Sequence, residues 1–420
     1  MSAKKRKTDL PIVVVGGGPS GLLAAISAAE GSKKVILYNK NPWPGKKVST
    51  IPAEELILSE KLSPKILASK FGSKSKFVAP IFKSFGYGDL AKLFKKLKLT
   101  LQADNNGHFR IESINGQDLM KILVDTAIKR GVEYKKSSRV TSVYTKNGKV
   151  GGVILNGTKI QASAVIIATG SFSLPKCGST KDGYYIAEKL GHKVNKIKPA
   201  FVDLIIREKY GKFLSGMSFE NIKITVYYNC NPVIMETGTI KFTQTSVSGP
   251  FILNHSADII ENLALTPVEI SIDFLADQPK EKFEAWLIHQ LASQNHMQVG
   301  QFLGKYFNAN VMKAIELESR INMSKSISHI TNLERKALVL GIKDFRFSIK
   351  SSKPFNNARG VLGGVSTDDI YPDTGESKIV KSLYFAGDVL DVLGPYGGYN
   401  MQFAFSSGYV AGKTAAKATG

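Results

Sequence analysis

Gly16, Gly18 and Gly21 stand at the spacing of a turn that brings backbone N–H groups to a pyrophosphate. Gly16 permits the tight turn, Gly18 lets the backbone approach the phosphates, and Gly21 lets the following helix pack closely on the preceding strand. Pro19 and Ser20 complete the turn. A helix opening here offers unpaired N–H groups and the positive end of its dipole. Asn39 stands where an acidic residue ordinarily binds the adenosine ribose, about 20 residues past the glycines. Its neutral amide can still hydrogen-bond a hydroxyl, and the adjacent Lys40 could favour an additional phosphate.

Two later runs carry the other half of such a site. Ala168-Thr169-Gly170 closes one buried apolar stretch, and Gly387-Asp388 closes another, where Asp388 could accept hydrogen bonds from ribitol hydroxyls. Gly397 and Gly398 then lead into Tyr399, Asn400 and Met401 at the head of a helix. N–H groups there could face the N1–C2=O edge of a flavin, where negative charge develops on reduction. Val140, in the strand Arg139–Thr145, completes the expected cofactor-contacting set. These signals point to FAD. No second G-x-G-x-x-G follows a strand, so NAD(P)H is expected only as a transient electron donor.

A flavin carries the electrons itself and leaves the protein to position, polarise and protonate. Tyr396, Tyr399 and Lys47 are the candidate proton donors. The tyrosines could instead pack, and Lys47 could instead touch phosphate. His108, His192 and His255 lack metal-ligand spacing and read as structural. Cys177 and Cys230 form no C-x-x-C, which argues against a disulfide reductase and a zinc ribbon and fits a reducing cytoplasm. Cys177 reads as a small filler residue.

The elements that must hold these residues are legible as texture. The runs Ile12–Val15 and Lys34–Tyr38 flank the small-residue helix Leu22–Ala29, giving a β-α-β unit. Asn115 caps a helix ending near Lys129, and two alternating strands meet at Asn147-Gly148, a hairpin signal. Repeated alternation over 200–275 reads as an antiparallel barrel or sandwich, and 279–345 has helical periodicity. The expectation is an α/β, Rossmann-like, glutathione-reductase-like FAD domain (11–195 and 352–420). It is interrupted by an inserted β domain (196–277) and a helical subdomain (278–351). A basic flexible N-terminus (1–10) precedes it.

The 420 residues suffice for two or three domains, and the 43% hydrophobic content is that of a soluble globular protein. No apolar stretch approaches the roughly 20 residues needed to span a bilayer. The net charge of +23 raises the question of nucleic acid. Its densest stretch, 61–98, sets ten lysines against Asp89 with phenylalanines interleaved, yet only nine of the 57 basic residues are arginine. Arginine is what base and phosphate forks prefer, so nucleic acid is not the expected partner; a small-molecule substrate is.

The chain resembles the bacterial FAD flavoproteins of the YhiN/BaiN type. The resemblance rests on Gly16–Gly21; Ala168-Thr169-Gly170 with Gly178–Tyr184; Phe242-Thr243 with Ser248-Gly249-Pro250; Gly363-Gly364-Val365; and Tyr384–Asp388 through Gly397–Asn400. It implies an FAD domain with an inserted barrel and helical unit, and flavin-mediated reduction of an activated double bond. The chain departs from that pattern after Pro44-Gly45-Lys46-Lys47. The family's Ser-Gly-Gly-Gly-Arg-Cys-Asn segment is replaced by Val48-Ser49-Thr50-Ile51-Pro52-Ala53-Glu54-Glu55, which removes a backbone path close to the ring. An FAD-binding protein without turnover, serving as redox sensor or interaction module, is the alternative; a flavoprotein acting on nucleic acid is a third.

Overall fold

A computed structural model describes residues 10–31, 33–104, 107–293 and 296–419. The basic segment expected at 1–10 lies, apart from Leu10, outside the described residues. The chain divides into two compact units, Met1–Pro199 joined with Arg359–Gly420, and Ala200–Ala358.

The first unit is built on five parallel strands in the order Leu383–Phe385, Ala164–Ile167, Ile12–Val15, Val35–Tyr38 and Glu133–Lys135. The three central strands and Leu383–Phe385 are buried at every position, which is why they read as unbroken apolar runs rather than as alternation. One face is covered by the fingerprint helix Pro19–Ala29 and the C-terminal helix Tyr399–Ala418. These helices cross at backbone contact. A Cβ on Gly408 would lie 2.1 Å from the Ser20 carbonyl oxygen, and one on Gly412 2.1 Å from that of Ala24. The small residues of the C-terminal helix are therefore a packing surface.

An antiparallel sheet of Val140–Lys146, Lys149–Leu155 and Thr158–Gln161 is added to this unit. Its first hairpin turns at Asn147 and Gly148, both at positive φ (53° and 71°), as a two-residue turn requires. The lysine-rich stretch forms helices Pro64–Ser69, Ser75–Ser84 and Tyr87–Lys96, and the strands on either side of them pair in a small sheet of Ser59–Glu60, His108–Ile111 and Leu101–Ala103. Phe71, Phe82, Phe85 and Phe94 are buried here, so the phenylalanines between the lysines are core.

The second unit is a closed barrel of six antiparallel strands: Leu204–Ile206, Ser246–Ser248, Asn231–Phe242, Ser218–Tyr228, Val268–Asp273 and Phe345–Ser352. Helices Lys280–Ser293, Ala309–Ser319 and Asn332–Lys343 share its core: Phe283, Ile315 and Leu338 belong to one buried cluster with Val226, Ile270 and Phe347. Trp286 packs against the same cluster. The side chain of Lys343 is 2% exposed and is held 2.7 Å from Asp273 and by the carbonyls of Leu275 and Gln278. Among the described residues no helix is long and apolar enough to cross a membrane.

Candidate cofactor and active site

The fingerprint turn has the geometry its glycines require. Gly16 adopts φ +114°, and a Cβ there would lie 2.3 Å from the Ala168 carbonyl oxygen. A Cβ on Gly21 would lie 1.9 Å from the Gly16 carbonyl oxygen. Gly18 is different: nothing lies within 4 Å of where its Cβ would be. Two glycines are thus demanded by packing, and the third leaves open space above the start of the fingerprint helix, which has Pro19 in its first turn and no side-chain cap. Helix N–H groups in that state are suited to a phosphate.

The other glycine runs converge on the same place. Gly387, at φ +72°, packs so closely on Ser20 that a Cβ would lie 2.5 Å from its Oγ. The Gly387 N–H donates to Ser407 Oγ at 2.9 Å. The buried Thr169 Oγ1, which packs against Gly183, has no hydrogen-bond partner, and Gly170 turns at φ +72°. Uncapped helix N–H groups beneath the open space at Gly18 are what a bound pyrophosphate would satisfy. The residues present therefore fit FAD.

Asn39 is 5% exposed. Its Nδ2 donates to the carbonyls of Asn41 (2.9 Å) and Trp43 (3.0 Å) and faces the Tyr134 hydroxyl at 3.1 Å. The amide thus closes its own loop and leaves Oδ1, beside Gly17, as the group able to accept from a ribose. Trp43 is 65% exposed. The Ser138 N–H donates to the Asn39 carbonyl at 2.8 Å, which ties this loop to the strand that begins at Val140. Val140 itself is buried, with its side chain in the apolar cluster under the hairpin.

Lys40 donates to Thr180 Oγ1. Burial pulls its pKa down, against the opposing charge of Asp182. Burial alone would raise Asp182, but bonds from Arg139 and Thr180 and the charge of Lys40 hold it below the ordinary value. Arg139 grips Asp182 with both arms of its guanidinium, at 2.9 and 2.8 Å. These two residues line a cavity of about 360 Å³ with Thr141, Tyr185, Glu188 and Lys189. Arg139, Thr180 and Asp182 were not readable as neighbours of Lys40, because they join it only through the fold.

Lys47 and Asp388, far apart in sequence, meet at 3.2 Å. The ammonium also donates to Ser173 Oγ at 2.9 Å and Ser171 Oγ at 3.3 Å. Both serines are buried and follow the Ala168-Thr169-Gly170 run directly. The rewritten segment after Lys47 forms two 3-10 turns, Val48–Thr50 and Ala53–Glu55, the first of which packs on Gly116 at the start of the helix Gly116–Lys129.

At the head of the C-terminal helix, a buried carboxylate meets the glycine turn. Glu60 Oε1 accepts from the Gly398 N–H at 3.4 Å and lies 2.7 Å from His108 Nδ1. The turn therefore does not present only N–H groups. Burial, followed by the Glu60 charge, raises the Tyr399 pKa, so its phenol keeps its proton. Asn400 folds back, accepting from the Gly394 N–H at 2.8 Å and donating to the Pro395 carbonyl at 2.9 Å. Met401 packs against the core under the first helix. The Tyr396 hydroxyl meets Arg359, whose guanidinium is 3.8 Å from Glu55.

The remaining candidates lie elsewhere. His192 is buried between the Ala187 carbonyl and Ser377. His255 faces Glu236 at 3.1 Å in the barrel unit. Cys177 is half-buried in a 3-10 turn, and among the described residues no cluster of His, Cys, Asp and Glu could hold a metal ion.

Across residues 10–414 the chain matches the family described as HI0933-like protein Rossmann domain. It is 27% identical to the 3-dehydro-bile acid delta(4,6)-reductase of Clostridium scindens over 410 residues, 97% of this chain and 99% of that one. It is 26% identical to the ribosomal RNA dihydrouridine synthase of Haemophilus influenzae over 401 residues, 94% of this chain and 96% of that one. The open conformation of a flavocytochrome c3 fumarate reductase has the same fold, with a TM-score of 0.53 at 15% identity, covering 98% of this chain and 78% of that chain. The chain belongs to the HI0933-like Rossmann flavoprotein family, as a divergent member, and is an FAD-dependent oxidoreductase.

Proposed function

We propose that this chain reduces an activated carbon–carbon double bond of a small-molecule substrate, taking electrons from transiently bound NAD(P)H or another donor. The observation that carries the reading is the Lys47 ammonium, anchored by Asp388 and two buried serines beside the fingerprint turn. A delta(4,6)-reductase and a dihydrouridine synthase, the two relatives named above, both saturate a double bond. FAD supplies hydride chemistry when bound.

The chain's own residues do the rest. The Gly16–Gly21 turn would hold the pyrophosphate, Asn39 Oδ1 would accept from the ribose, and Asp388 would accept from the ribitol chain. Lys47 Nζ holds a proton close by, and the Tyr399 phenol holds another. Tyr396, pulled toward Arg359, is better placed to orient than to protonate. The test is anaerobic titration of FAD-loaded protein with NADH and NADPH, followed by a panel of enones. Bleaching of the flavin bands with reoxidation by an enone supports the reading. FAD that binds but never turns over would leave the sensor alternative, and colourless protein that cannot be reconstituted would sink both.

One observation favours a second reading, in which the substrate is a base in structured RNA. Of the ten lysines in 61–98, only Lys74 is drawn inward, to Asp391 at 2.9 Å; the others are exposed while Phe71, Phe82, Phe85 and Phe94 are buried. Binding of structured RNA whose log affinity falls linearly with log salt would support it. Affinity that is absent, or indifferent to salt, would exclude it.

A further inference from the structure

The proposed chemistry leaves Glu60, a buried carboxylate of the first unit, and its partner His108 without a task. Glu60 has a 6% exposed side chain and belongs to the two-residue strand Ser59–Glu60. That strand is pressed onto the glycine turn: a Cβ on Gly398 would lie 2.6 Å from the Ser59 nitrogen, and one on Gly397 3.4 Å from Glu60 Oε1. The carboxylate is therefore fixed where the C-terminal helix begins, and the positive end of that helix favours its charge. His108 is 29% exposed, so it can exchange protons with solvent while Nδ1 stays 2.7 Å from Glu60. Its own backbone is fixed by Asp104, whose Oδ1 accepts from the His108 N–H at 3.0 Å and whose Oδ2 faces Arg110 Nε at 3.4 Å. Tyr399 is the other titratable group facing Glu60, and it keeps its proton.

We infer that Glu60 and His108 form a solvent-linked charge switch for the flavin pocket, setting the polarity of the Gly397–Gly398 turn and hence how readily a flavin bound there accepts electrons. With His108 protonated the pair carries no net charge; with His108 neutral it carries one negative charge. A negative charge held in a site of low dielectric disfavours electron uptake nearby. The proton moves only between His108 and solvent, and no bond to the cofactor is made or broken by the pair. Glu60 and His108 are positioning residues, and the inference rests on the FAD reading.

The experiment is spectroelectrochemical titration of the FAD-loaded full chain across a pH series, for the native protein, Glu60→Gln, His108→Gln and Glu60→Asp. The native potential should show a bend that both glutamine variants lose and that Glu60→Asp retains. At the alkaline end Glu60→Gln should have a more positive potential than the native protein. A bend that persists in the FAD-loaded glutamine variants overturns the switch while leaving the flavin reading intact. A native chain that takes up no FAD overturns both. Should Glu60→Gln fail to fold, His108→Gln, at the more exposed of the two positions, decides the matter alone.

Discussion

The Asn39 amide donates to two main-chain carbonyls that a carboxylate could not serve. Restoring the acid usual at this position should therefore not simply improve the site. Asn39→Asp is expected to lower stability by about 1–3 kcal/mol, because it strands the Asn41 and Trp43 carbonyls beside a buried charge. Thermal denaturation of the FAD-free protein measures this. Lys47 poses the opposite case. Its side chain is 25% exposed and that of Asp388 34%, and an ion pair so open to water contributes no more than about 1 kcal/mol. Lys47→Met should shift the melting temperature little while slowing substrate reduction by about 100-fold or more, the usual scale for a lost proton donor. A melting loss that parallels the activity loss would make Lys47 a purely structural tie.

Helix crossing and loop closure set the next scale. Gly408→Ala drives a methyl group into the Ser20 carbonyl and must push apart the two helices that flank the fingerprint turn. A loss of about 1–3 kcal/mol or more is expected from such overpacking, with weaker FAD binding; calorimetry and flavin titration read the two. His192 joins the turn after Asp182–Lys189 to the Ser377 loop. The Ala187 carbonyl can only accept, so Nδ1 carries the hydrogen and Nε2 accepts from Ser377. Burial lowers the His192 pKa, which means the unfolded chain binds this proton more readily than the folded one. Stability from this site is therefore present above the unfolded value of about 6.5 and declines as pH falls through that value toward the lower folded one. His192→Gln should flatten that part of the stability–pH curve.

The same scale explains which elements could be read beforehand. Ile12–Val15 and Ala164–Ile167 are apolar at every position because both faces of their sheet are covered, and Asn115 does accept from the Asp118 N–H at 3.0 Å to cap its helix. The alternation over 200–275 covers the strand Ser218–Tyr228, where Ile222, Ile224 and Val226 are buried and Lys223 between them is exposed. Ser59–Glu60 was invisible: two residues have no period, and its partner Gly398 lies 338 positions from Glu60. Lys47, a candidate by its expected proximity to the flavin, could not be placed beside Asp388 or Ser173 from sequence. Helical periodicity over 279–345 marked an apolar face, but not that the face covers the barrel's own core.

At the scale of the whole molecule, the two units have separate hydrophobic cores. Ligand linkage should distinguish them. FAD at 100 times its dissociation constant should stabilise the unit bearing the fingerprint turn by about 2.7 kcal/mol, moving one calorimetric transition and leaving that of the barrel unit in place. A uniform shift of both would mean the units unfold together. The charge of +23 acts over the same length scale, drawing anions of every kind toward the protein and making association rates sensitive to salt. Only two tryptophans occur in the chain. Trp43, whose carbonyl is tied to Asn39, stands in water on the loop beside the glycine cradle, and Trp286 is packed among aromatic rings in the barrel unit. One lamp thus stands at the door and the other against a wall of aromatic rings: the fluorescence of a Trp286→Phe protein would report cofactor arrival in real time, and that of Trp43→Phe would supply its reference.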